Sequence, residues 1–150
     1  MAKIEAGVTV NRPITEVFQY VVDGEKVPEW RKSCVEIKRL SPDPLGPGTK
    51  EIYKLKTMGR TYEVMMEVTE YEPGRKYSWK ATSGSPFPME GAFTFAAVEG
   101  RTTVAEITEI KLGGLLGLLQ PVIVWMFRRE VRTDFSRLKN ILDAGISEGN

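Results

Sequence analysis

Three short turns punctuate the middle of the chain, and they register the strands around them. A two-residue hairpin at Met58-Gly59 sets Lys54 opposite Glu63 and Lys50 opposite Glu67, with Leu55 opposite Tyr62 and Tyr53 opposite Val64. A turn centred on Pro73-Gly74 sets Glu67 opposite Lys80, Val68 opposite Trp79 and Met66 opposite Ala81. Both turns put opposite charges across from each other on one face and apolar side chains on the other. A one-residue slip in either hairpin turns every side chain over and destroys that agreement. With Glu99-Gly100 as a third turn, Phe95 faces Val104, Phe93 faces Glu106, Gly91 faces Thr108 and Met89 faces Ile110. The centre of the chain is therefore expected to be an antiparallel sheet with one wet and one apolar face.

The flanks complete the pattern. Ile4, Ala6, Val8 and Val10 alternate with Lys3, Glu5, Gly7 and Thr9, a half-buried strand. Asn11-Arg12-Pro13 stops it and opens a short helix whose Ile14, Val17, Phe18, Val21 and Val22 share one face. Asp23-Gly24 ends that helix, a second short helix or turn runs to Trp30, and Ser33 to Leu40 reads as a further strand. From Leu115 to Ala144 the spacing is helical, with Val131, Phe135, Leu138 and Leu142 as its buried stripe and a kink or restart expected at Pro121. Strands and helices in this order make an α+β layer, and the sheet must curl around the long helix to cover the apolar faces of both.

Composition sets bounds on chemistry. The 150 residues suit one domain with a real core. Lys+Arg 21 against Asp+Glu 20 argues against duplex nucleic acid as the main partner, since such binding neutralises many phosphates. The absence of histidine removes His-based nucleophile systems and most zinc sites, and neither a metal nor a cofactor is expected. One cysteine, Cys34, excludes an intramolecular disulfide and reads as structural. The start of the chain alternates like a strand rather than a signal peptide. Leu115 to Phe127, 13 residues broken by Gly117, Gln120 and Pro121, falls short of the roughly 20 needed to cross a bilayer. The expected location is the cytoplasm, as a monomer or homodimer.

Several stretches carry a family likeness. "VTVNRPITEVFQYVVDGEKVPEWRKSCVEIKRL", "GTKEIYKL", "VTEYEPGRKYSW" and "GGLLGLLQPVIVWMFRREVRTDFSRLKNILDA" resemble the first strand and Pro-initiated helix, third strand, central hairpin and last helix of the polyketide cyclase/dehydrase branch of the START-like (Bet v 1-like) superfamily. The likeness runs from about Lys3 to Ala144 and departs from the family at Asp23-Gly24, where an aspartate-proline step is common. It implies a helix-grip fold: a curved antiparallel sheet of six to seven strands around a long C-terminal helix, with two short helices after the first strand. It also implies a cavity used for lipids, polyketides, hormones or other apolar molecules.

On the apolar face, Tyr53, Leu55, Tyr62, Val64, Met66, Trp79, Phe93 and Phe95 are candidates for a ligand-binding wall, with Val68 beside them. Large aromatics and a flexible methionine fit such a wall, although periodicity alone does not distinguish a filled core from a hollow one. Thr108 and the tyrosines offer hydroxyls, with Tyr77 expected to make a structural hydrogen bond. Glu106 faces inward opposite Phe93, and no arginine or lysine shares its face in the central strands. It is expected on the cavity wall as a desolvated carboxyl that bonds a ligand hydroxyl or amine. A different turn length at Glu99-Gly100 flips the strand and puts Glu106 in solvent instead. Glu51 faces inward near a strand end, within reach of water. Trp30 reads as packing at one end of the sheet. Arg128, Arg129, Arg132, Arg137 and Lys139, interleaved with Glu130 and Asp134, read as a solvated helix face.

Three functions are compatible with this pattern. The first is binding of a small apolar molecule under the long helix. The second is a cyclase or dehydratase acting on a polyketide-like substrate with Glu106 as acid or base. The third is a docking module that uses Leu115 to Phe127 against a partner or a membrane.

Overall fold

In the computed structural model, residues 2–42, 44–57 and 59–144 are described. The alternating segments form seven strands: β1 (Ala2–Val10), β2 (Cys34–Arg39), β3 (Lys50–Thr57), β4 (Arg60–Glu72), β5 (Lys76–Ser83), β6 (Met89–Val98) and β7 (Arg101–Ile110). They make one antiparallel sheet in the order β1-β7-β6-β5-β4-β3-β2. Two short helices, α1 (Ile14–Val22) and α2 (Val27–Trp30), carry the chain from β1 at one edge to β2 at the other. After β7 come α3 (Gly114–Leu118) and the 25-residue α4 (Gln120–Ala144). The sheet curls around α4, which is the helix-grip arrangement.

The pairings read from the turns are present. Lys54 faces Glu63, Leu55 faces Tyr62 and Tyr53 faces Val64, with Thr57 and Arg60 flanking the connection. Met58 of the expected Met58-Gly59 turn lies outside the described residues. At the third turn Val98 pairs with Arg101, so Glu99 (φ 50°) and Gly100 (φ 82°) form the two-residue connection, both left-handed as a type I′ turn demands.

The Pro73-Gly74 turn needs correction. Arg75 belongs to the loop as well, donating its N–H to the Glu72 carbonyl at 2.9 Å, and Glu72 pairs with Lys76 rather than Arg75. A register shift between Val68 and Glu70 cancels the extra residue, so Val68 still faces Trp79 and Glu67 still faces Lys80. The long helix restarts beside Pro121, as its backbone chemistry predicts. The chain breaks at Leu119 and restarts at Gln120, which places Pro121 in the first turn, where its missing N–H costs nothing.

The interior has two apolar clusters. One joins Phe18, Val21 and Trp30 to Phe93, Phe95 and Val104 of the sheet and to Phe135, Leu138 and Leu142 of α4. The other gathers Ile4, Phe87, Ile110 and Ile123, with Leu116 and Phe127 packed against it. Polar contacts pin the C-terminal half of α4 to β1 and the turn that follows it. Lys139 Nζ donates to the Thr9 carbonyl, Arg12 Nε to the Leu142 carbonyl, and the Asn11 N–H to Asp143, each at 2.8 Å. Among the described residues no helix is long and apolar enough to cross a membrane.

Candidate functional site

Between the two clusters the sheet and α4 do not meet completely, and a pocket of about 130 Å³ remains. Alternation brings one face of five consecutive strands to it. Tyr53 and Leu55 come from β3, Tyr62, Val64 and Met66 from β4, Trp79 from β5, Phe93 from β6, and Glu106 and Thr108 from β7. Tyr77, expected to be structural, also lines the pocket. Phe95 does not. One strand repeat beyond Phe93, it lies edge-on to Phe18 at 4.9 Å between centroids, inside the first cluster. Gly91 makes room for the Trp79 indole, since a Cβ there would lie 2.5 Å from its Cζ2.

Glu106 is inward, 2 % exposed, and paired with Phe93 as the turn at Glu99-Gly100 dictates. The solvent alternative for it is thereby removed. The cation beside it comes from outside the central strands: Arg31, the residue after α2, places Nη2 2.6 Å from Glu106 Oε1. The Arg31 guanidinium also stands over the Trp30 ring at 4.8 Å and near Phe93 at 5.8 Å. Burial works against its charge, but Glu106 and then Asp134 outweigh burial and hold it above the ordinary arginine value. Two buried polar atoms beside it, Glu106 Oε2 and Trp30 Nε1, have no hydrogen-bond partner. Trp30 is fully buried and packs against Phe93 and Phe135, as expected, but also borders the pocket.

Two acids of α4 reach the same place. Asp134, placed on a solvated face by its spacing, is buried, accepting the Lys32 N–H at 3.1 Å and facing Arg137 Nη1 at 3.4 Å. Burial pushes its carboxyl up, against the pull of Arg31. Glu130 lines the pocket and is likewise raised, by burial and then by Asp134. Arg137 also leaves the solvated face, donating to the Trp30 carbonyl at 3.0 Å. Glu51, expected near water, is buried, 3.9 Å from Arg39. Tyr53 and Tyr77 are both raised, by burial before any neighbouring charge, so their hydroxyls stay protonated.

Arg31, Glu130 and Asp134 are the site residues that strand periodicity missed. The short helix or turn running to Trp30 is legible in the sequence, but only the crossover from β1 to β2 brings the following Arg31 over β7. Among the described residues no cluster of His, Cys, Asp or Glu is placed to hold a metal ion. The result is a mostly apolar chamber with the Arg31–Glu106 ion pair in its wall and one buried carboxylate oxygen of Glu106 without a hydrogen-bond partner.

The family described as polyketide cyclase / dehydrase and lipid transport matches residues 1–143. The chain belongs to this family. No curated protein matches it. Among solved structures, a protein of Thermus thermophilus is similar at 18% identity with a TM-score of 0.80, covering 96% of this chain and 99% of its own. A START superfamily protein from Mycobacterium smegmatis matches at 14% identity and TM-score 0.72, covering 99% of both chains. The Zhui aromatase/cyclase from a Streptomyces species matches at 11% identity and TM-score 0.74, covering 93% of this chain and 92% of that one. At such identities the likeness is one of fold.

Proposed function

We propose that this family member binds a small apolar molecule, lipid- or polyketide-like, between the sheet and α4, and that the ligand donates a hydrogen bond from a hydroxyl or amine to Glu106 Oε2. The observation that carries this reading is that buried oxygen, unpartnered in a mostly apolar wall. A buried acceptor without a donor costs on the order of 1–3 kcal/mol, which a ligand donor recovers on binding. Tyr53, Leu55, Tyr62, Val64, Met66, Trp79 and Phe93 supply the apolar contact, and Thr108 a second hydroxyl. Burial of ligand surface provides most of the affinity, at roughly 25 cal/mol per Å².

The pocket of about 130 Å³ is smaller than the roughly 300–1,000 Å³ of drug-sized ligand sites. A larger ligand therefore displaces side chains, and Met66, Met89 and Phe127 on the wall can give way. Arg31 holds Glu106 as an ion pair, which suits an acceptor better than a proton-transfer group.

The test uses N-phenylnaphthylamine, an apolar probe with one N–H donor, followed by its fluorescence. Wild-type protein is expected to bind it, and Glu106→Gln, whose amide nitrogen can replace the acceptor, is expected to bind about tenfold more weakly. Native mass spectrometry of protein from its own cells should show a co-purifying molecule that carries a hydroxyl or amine. Equal affinity in both proteins defeats the role given to Glu106, and absence of any apolar ligand defeats the binding reading.

A further inference from the structure

Among the described residues the most exposed large apolar side chains, those of Leu115 and Leu118, stand together with four others. Leu115 and Leu118 of α3 are 80% and 78% exposed, and Leu119, Val122, Trp125 and Met126 continue the patch onto the first turns of α4. No residue of α3 is buried. A short helix of exposed leucines stands in water at a cost unless something covers it. The charges around it indicate what that is. From Lys111 to Thr133 the chain carries Lys111, Arg128, Arg129 and Arg132 against the single acid Glu130, whereas the whole chain is only +1. Glu130 faces the pocket rather than the patch's surroundings. Arg129 lies over the exposed Trp125 ring at 5.6 Å.

We infer that this apex docks on an anionic lipid surface, with the leucines and Trp125 entering the interface and the arginines and Lys111 meeting lipid phosphates. Exposed leucines beside an interfacial tryptophan and a basic margin are what such a surface takes up. A second copy of the chain fits less well, because a two-fold contact there brings Arg128, Arg129 and Arg132 toward their own counterparts. The apex also roofs the pocket. Leu116 and Phe127 turn inward to the second cluster, and Phe127 lines the pocket wall. An apolar ligand can then pass from bilayer to pocket without crossing water. That last step rests on the function proposed above, whereas the docking itself does not.

The test is flotation with phosphatidylcholine vesicles, with and without phosphatidylserine. Wild-type protein is expected to float with the serine-containing vesicles, less with pure phosphatidylcholine or in high salt, and its tryptophan emission should shift to the blue. Leu115→Glu and Leu118→Glu should each weaken binding more than about tenfold, and Arg129→Gln or Arg132→Gln about fivefold. These side chains are exposed, so circular dichroism and N-phenylnaphthylamine binding without vesicles should stay unchanged. No flotation, flotation indifferent to Leu118→Glu, or a dimer that Leu118→Glu dissociates overturns the docking proposal. Probe binding without flotation sinks only the docking, and flotation without probe binding sinks only the pocket function.

Discussion

Two buried carboxylates sit in opposite electrostatic circumstances, and neutralising the first and unpairing the second should have opposite effects. Glu51 has one cation at 3.9 Å, and burial, reinforced by Asp23, raises its carboxyl against the pull of Arg39. Because the folded state then holds the proton more tightly than the unfolded chain, stability falls as pH rises through the folded-state value. Glu51→Gln is expected to raise the urea midpoint near about pH 7 and to lose that advantage in acid. Glu106 is paired at 2.6 Å. Arg31→Met, which leaves that carboxylate buried alone, should destabilise by about 3 kcal/mol, and adding Glu106→Leu should recover most of the loss in the same urea series. Sequence reasoning could place Glu106, because the Glu99-Gly100 turn sets its direction. It could not supply Arg31, which lies 75 residues away and arrives on a different element.

At the level of elements, agreement between hairpins was legible because charge pairs and apolar pairs both report register. The bulge between Val68 and Glu70 was invisible for the same reason: it cancels the third loop residue at Arg75 and leaves the distant pairing as expected. Helix boundaries were legible at Pro121 from backbone chemistry, while burial of Asp134 was not, since spacing puts it beside the stripe but does not reveal the Lys32 N–H that receives it. Gly91 offers a direct test of how β5 and β6 shape the pocket. Gly91→Ala forces the Trp79 ring from its seat and is expected to cost about 1–3 kcal/mol in urea melts. The displaced indole should also weaken N-phenylnaphthylamine binding.

Across the whole molecule, α4 is held unevenly. Asp134, Arg137, Lys139 and Asp143 tie its C-terminal half to β1, the turn after β1, the end of α2 and the segment that follows α2, while its first turns carry the exposed apex. Amide hydrogen exchange should therefore be about tenfold faster over residues 122–128 than over residues 135–142. Whether the space beneath that helix is filled lay beyond periodicity, since Phe93 and Phe95 carry the same pattern and only the first lines the pocket. Another consequence follows from the one cysteine. Cys34, buried at the start of β2, has its thiol pushed up to about 11, chiefly by burial, so the intact fold keeps it uncharged and out of reach of disulfide reagents. The unfolded chain offers the same sulfur freely. Comparing its labelling rate with that of a free thiol thus gives a stopwatch for how often the β2 edge comes apart, with no engineered reporter.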